Sequence, residues 1–87
     1  MKVQALKDIV RKDVPIYYRR LYTGVAVLEF TQEPADYRID FAIEQKPTGV
    51  KDIAVTFIDK VDYPLLPLNR ELKSFIDILD SNGGLPD

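Results

Sequence analysis

Tyr37-Arg38-Ile39-Asp40-Phe41-Ala42-Ile43-Glu44-Gln45 is the stretch that decides the fold class. Tyr37, Ile39, Phe41 and Ile43 alternate with Arg38, Asp40, Ala42 and Glu44. Successive side chains of a strand point to opposite faces, so this period of two describes a strand over 37–45 with one face buried and the other solvated. On its C-terminal side, Gln45-Lys46-Pro47-Thr48-Gly49 turns the chain and 50–59 reads as a second strand. That strand has Ile53, Val55 and Phe57 on one face and Asp52, Ala54, Thr56 and Ile58 on the other. On the N-terminal side a polar loop, Thr31 to Asp36, separates it from a region rich in β-branched and aromatic residues. Thr23-Gly24 divides that region into a hairpin of strands over 16–22 and 24–31, with one long bent strand over 16–30 as the alternative reading.

Helical periodicity brackets these strands. Val3, Leu6, Ile9 and Val10 recur at helical spacing, and Asp13-Val14-Pro15 ends the run because proline excludes its predecessor from the helical region. This predicts an amphipathic helix over about 2–12. After an extended connection holding Pro64 and Pro67, the residues Leu68, Leu72, Phe75, Ile76 and Leu79 form an apolar stripe. They predict a helix over 69–81, with Asn69 as N-cap, Asn82-Gly83 as C-cap and Leu85 closing the cap. The expected architecture is therefore α+β in the order α-β-β-β-β-α, one domain over 1–87, with the C-terminal helix packed on one face of a four-stranded antiparallel meander.

The 87 residues are 46% apolar and 30% charged, enough for one packed core and too few for two domains. Cysteine and histidine are absent, so disulfides, thiolate nucleophiles, Cys/His zinc sites and a histidine base are excluded. Ser74 and Ser81 lie in and at the end of the last predicted helix, outside any nucleophile-elbow motif. Gly83-Gly84 follows that helix and reads as a cap, not a phosphate loop. Asp36 with Asp40, or Asp52 with Asp59 and Asp62, lack the spacing of a calcium loop. The sequence thus points away from an enzyme, with no catalytic residue, metal or cofactor assigned. Its start, Met1 to Asp8, has no uninterrupted apolar segment, and no run approaches a membrane span, so a cytoplasmic location is expected.

The net charge of −2 is unevenly spread. Residues 1–20 hold six basic against two acidic groups, a net +4, and residues 21–87 hold six basic against twelve acidic, a net −6. Within the basic end, Tyr17-Tyr18-Arg19-Arg20-Leu21-Tyr22 mixes aromatic and guanidinium groups on one predicted strand. Single-stranded nucleic acid is bound by such sets, bases stacking on tyrosine and phosphates meeting arginine. On that reading the site is Tyr17, Tyr18, Arg19, Arg20 and Tyr22, helped by Lys7, Arg11 and Lys12. The competing reading packs the tyrosines under a helix and pairs the arginines with Glu29, Asp40 or Glu44. A second candidate surface is Val61, Tyr63, Leu65 and Leu66, more apolar than a free connection needs, which either plugs the end of the core or docks a partner.

Four strands followed by a helix is similar in topology to the repeat of purine-rich-element-binding proteins and to whirly-type single-strand binders. The helix–sheet–helix order is broadly similar to double-stranded-RNA-binding domains, but Asn69-Arg70-Glu71-Leu72-Lys73 lacks that family's basic cluster. The acidic total counts against both likenesses, and neither establishes a family. The function expected from the sequence is a non-catalytic protein-interaction or regulatory accessory module that binds another protein or a second copy of itself. Single-stranded nucleic-acid binding is the alternative.

Overall fold

Ala35–Gln45 forms strand β3 and lies inside a four-stranded antiparallel sheet in the computed structural model, which describes residues 1–87. The other elements are β1 (Lys2–Arg11), β2 (Arg19–Glu29), β4 (Lys51–Phe57) and α1 (Leu65–Ser81), and the sheet order β1-β2-β3-β4 is a simple meander. On one face Tyr22, Ala26 and Leu28 of β2 meet Ile39, Phe41 and Ile43 of β3 and Ile53 of β4. Helix α1 covers this face with Leu68, Leu72 and Ile76, all fully buried. Each such side chain contributes about 1.5–3 kcal/mol of transfer free energy, so helix and sheet stabilise each other. Tyr22 and Phe41 sit directly opposite in register and stack at 4.9 Å. At the other end of the sheet Phe30 stacks on Tyr63 at 4.7 Å and meets Tyr37 edge-on at 5.9 Å.

The helix expected over 2–12 is a strand. Its apolar residues follow a spacing of three because two irregularities interrupt the pairing of β1 with β2, between Val3 and Ala5 and between Lys7 and Val10. Each inserts one extra residue opposite an otherwise regular partner, which turns a period of two into one of three. Val3 lies opposite Leu28 and Leu6 opposite Ala26, and Ile9 touches Gly24, so all three reach the core face. Asp8, in the second bulge, has the left-handed φ of 52°. The meander still has four strands, because the expected strands over 16–22 and 24–31 are one. β2 runs straight through Thr23-Gly24, which pair with Asp40 and Ile39 without reversing direction.

Helix α1 also begins earlier than its stripe suggests. Pro64 is the N-cap and Pro67 lies in the first turn, where a missing N–H costs nothing because those donors have no intrahelical acceptor. Asn69 is therefore an interior helical residue and not the cap. The C-terminal end follows the sequence reading. Gly83, at φ 71°, donates its N–H to Asp80 O at 3.1 Å, and Gly84 donates to Leu79 O at 2.8 Å. This is the paired bonding of a Schellman cap, and Leu85 packs back on the core.

Candidate interaction site

Strand alternation disperses the Tyr17-Tyr22 cluster. Tyr22 and Arg20 lie on the helix side of β2, and Tyr22 is fully buried. Arg20 donates to both carboxylate oxygens of Asp80 on α1, each at 3.0 Å, and to the Tyr22 hydroxyl at 3.1 Å. Lys51 of β4 also meets Asp80, at 3.0 Å, and pairs with Asp77. The Arg20 guanidinium, followed by the Lys51 ammonium, holds the Asp80 carboxyl below its ordinary pKa, and burial opposes this. Asp77 and Asp80 sit at the negative end of the helix dipole, where carboxylates are disfavoured, and the two cations from the sheet compensate them. The sequence reading missed this cluster, although two aspartates in a last helical turn with no local base are a signal that cations arrive from elsewhere.

Arg19 points to the opposite, uncovered face and pairs with Glu44 at 3.9 Å, one of the partners foreseen. On the same face Lys7 pairs with Asp36 at 2.8 Å and Lys12 with Asp40 at 3.5 Å, each reaching from the β1 side across β2 to β3. Asp36 raises the Lys7 pKa, mainly through the hydrogen bond. Arg38 binds Asp59 through its backbone N–H and its guanidinium, the latter at 2.7 Å, and so lowers the aspartate pKa. Arg11 is exposed and lies at the end of β1, outside these pairs. The structure therefore does not bring Lys7, Arg11, Lys12, Arg19 and Arg20 together. No three acidic side chains form a group that would hold a metal ion.

Two members of the cluster remain, and they share one surface. Tyr17 and Tyr18 lie in the connection between β1 and β2, with rings edge-on at 5.6 Å. Tyr17 is 97% exposed and Tyr18 50%. Tyr18 O accepts the Gln45 N–H at 2.8 Å, which fixes the connection against the β3–β4 turn. That turn closes with Gly49 N–H on Lys46 O at 2.9 Å, and Gly49 takes φ 87°, a conformation that favours glycine. Together Tyr17, Tyr18, Glu44, Gln45, Lys46 and Pro47 line an open groove of about 620 Å³.

The other candidate patch divides. Val61 and Tyr63 pack against the core, while Leu65 and Leu66 in the first turn of α1 face solvent, Leu66 81% exposed.

Residues 1–81 match the BB_0187 family, and the chain belongs to that family. No curated protein matches it. No solved structure matches it either. No helix is long and apolar enough to cross a membrane.

Proposed function

We propose that this chain is a non-catalytic protein-interaction module that holds a short apolar or proline-bearing segment of another protein in the Tyr17–Tyr18 groove. One observation carries this reading. Of the nine aromatic residues, seven are buried or half-buried and only Tyr17 and Tyr18 are exposed, side by side on a connection tied to the neighbouring turn. Exposed aromatics contribute little to folding, whereas an amphipathic ring that is already held in place loses little entropy on binding and buries a large area. Pro47 opposite the rings gives the groove an apolar floor, and Glu44, Gln45 and Lys46 give it the polar rim common to interfaces. The site holds no paired acid and base and no nucleophile.

The test is selection of displayed peptides on the wild-type chain, with counter-selection on Tyr17→Ser/Tyr18→Ser. Selected peptides should bind the wild type at micromolar concentration and the double variant at least about tenfold more weakly. Equal binding to both proteins would remove the groove from the interaction. A mixed-sequence single-stranded oligonucleotide, titrated at low and physiological salt, covers the alternative. Binding that collapses with salt would replace the protein reading with nucleic-acid recognition.

A further inference from the structure

The sheet has two edges, and they differ. β1 carries two bulges and the left-handed Asp8, which break its outer row of backbone groups. β4 is seven residues without a bulge, proline or glycine, and its centre, Ile53-Ala54-Val55-Thr56-Phe57, carries no charge. Ile58 N–H bonds to Arg38 O at 3.0 Å, so by alternation Thr56, Ala54 and Asp52 face β3, and Lys51, Ile53, Val55 and Phe57 direct their N–H and C=O groups outward. No turn or loop backbone bond reaches those four residues.

We infer that β4 pairs with β4 of a second copy of this chain, antiparallel about Ala54, to form a continuous eight-stranded sheet. This proposal is independent of the tyrosine groove. The occupant follows from the self-complementarity of the strand. With Ala54 opposite Ala54 of the second copy, Ile53 faces Val55, Asp52 faces Thr56 and Lys51 faces Phe57, so no like charges meet. All four outward residues then fall opposite outward residues, the register in which both rows of donors and acceptors are satisfied. An open groove of about 590 Å³ runs along this edge between β4 and α1, lined by Lys51, Asp52, Ile53, Lys73, Ser74 and Asp77. Val55 of the second copy, opposite Ile53 on the helix side of the sheet, enters it. One strand pair buries a small area, so the dimer is reversible and concentration-dependent.

The chain has no cysteine, which permits a register-specific test. In this pairing the two Ala54 Cα atoms are about 4.5 Å apart at a site without backbone hydrogen bonds, within the disulfide range. The two Asp52 Cα atoms are about 14 Å apart along the strands. Under mild oxidation Ala54→Cys should become a covalent dimer in high yield and Asp52→Cys should stay monomeric. Val55→Pro deletes an outward donor without touching the β3 ladder and should raise the dimer dissociation constant at least about tenfold, as read by sedimentation equilibrium with circular dichroism to confirm folding. Ala54→Cys remaining monomeric, Asp52→Cys cross-linking equally well, or a folded Val55→Pro protein dimerising like the wild type would each overturn the inference. Loss of peptide binding to the groove would leave these results unaffected.

Discussion

Arg20 of β2 and Asp80 of α1 meet in a two-point pair, Nη1 to Oδ1 and Nη2 to Oδ2, both at 3.0 Å, with sixty residues of chain between them. Tyr22 sits beneath this pair and Lys51 beside it, so the last turn of the helix is tied to β2 and β4 at one point. Asp80 keeps only 15% of its side chain exposed, which makes the carboxylate dependent on its partners. Asp80→Asn should destabilise the fold by about 2 kcal/mol, because Arg20 and Lys51 each lose a charged acceptor. Urea titration of the two proteins at neutral pH measures the difference.

The same pair sets the acid limb of stability. The folded-state pKa of Asp80 lies below the ordinary value of 3.8, as does that of Asp59 beside Arg38. A carboxyl depressed by folding stabilises the native state above its unfolded pKa, and that contribution is lost as pH falls through the folded value. Wild-type stability should therefore decline from about pH 5 to about pH 2, more gently in Asp80→Asn, so that the two curves converge in acid. Parallel curves would mean that Asp80 titrates alike in the folded and unfolded chain.

Ile76 on the helix and Leu66 in its first turn separate burial from hydrophobicity. Ile76 is fully buried against the sheet, and Ile76→Ala should cost about 2–5 kcal/mol through lost transfer energy and the cavity left behind. Leu66 is 81% exposed, and Leu66→Ala should stay within about 0.5 kcal/mol of wild type. Thermal unfolding of both variants checks the contrast.

The sheet's centre and the helix were legible because their patterns are regular. Ile39, Phe41 and Ile43 keep the strand period, and Leu68, Leu72 and Ile76 keep the helical one. β1 was illegible for a specific reason. Two inserted residues space Val3, Leu6 and Ile9 three apart, and three is closer to the helical period than to the strand period. Thr23-Gly24 misled in the opposite way, as turn-forming residues held in a strand by partners on both sides. The site was half legible. Composition singled out the tyrosine and arginine cluster, but only the position of the loop–strand boundary at Arg19 decides that Tyr17 and Tyr18 are free while Tyr22 is buried.

Asp8 tests the bulge directly. A residue with a side chain at φ 52° is strained relative to glycine, and short polar residues tolerate this region better than β-branched ones. Asp8→Gly should be neutral or stabilising, and Asp8→Val should cost at least about 1 kcal/mol and loosen the edge. Amide exchange of β1 residues 7–10 follows the effect locally, and equal exchange in the two variants would remove the bulge as the cause.

Tyr17 and Tyr22 lie five residues apart and should behave as opposites. Tyr22 stacks on Phe41 at 4.9 Å, is fully buried and holds Arg20 through its hydroxyl. Removing a buried aromatic ring costs about 3–5 kcal/mol, so Tyr22→Ala should leave the fold marginal or lost. Tyr17 makes one edge contact, with Tyr18, and is otherwise in solvent, so Tyr17→Ala should shift stability by less than about 0.5 kcal/mol. Denaturant midpoints measured side by side decide the matter. A large loss on Tyr17→Ala would show that the ring supports the fold and would weaken the case for reserving it for a partner. A silent Tyr17→Ala that also loses the selected peptides would place its contribution entirely in binding.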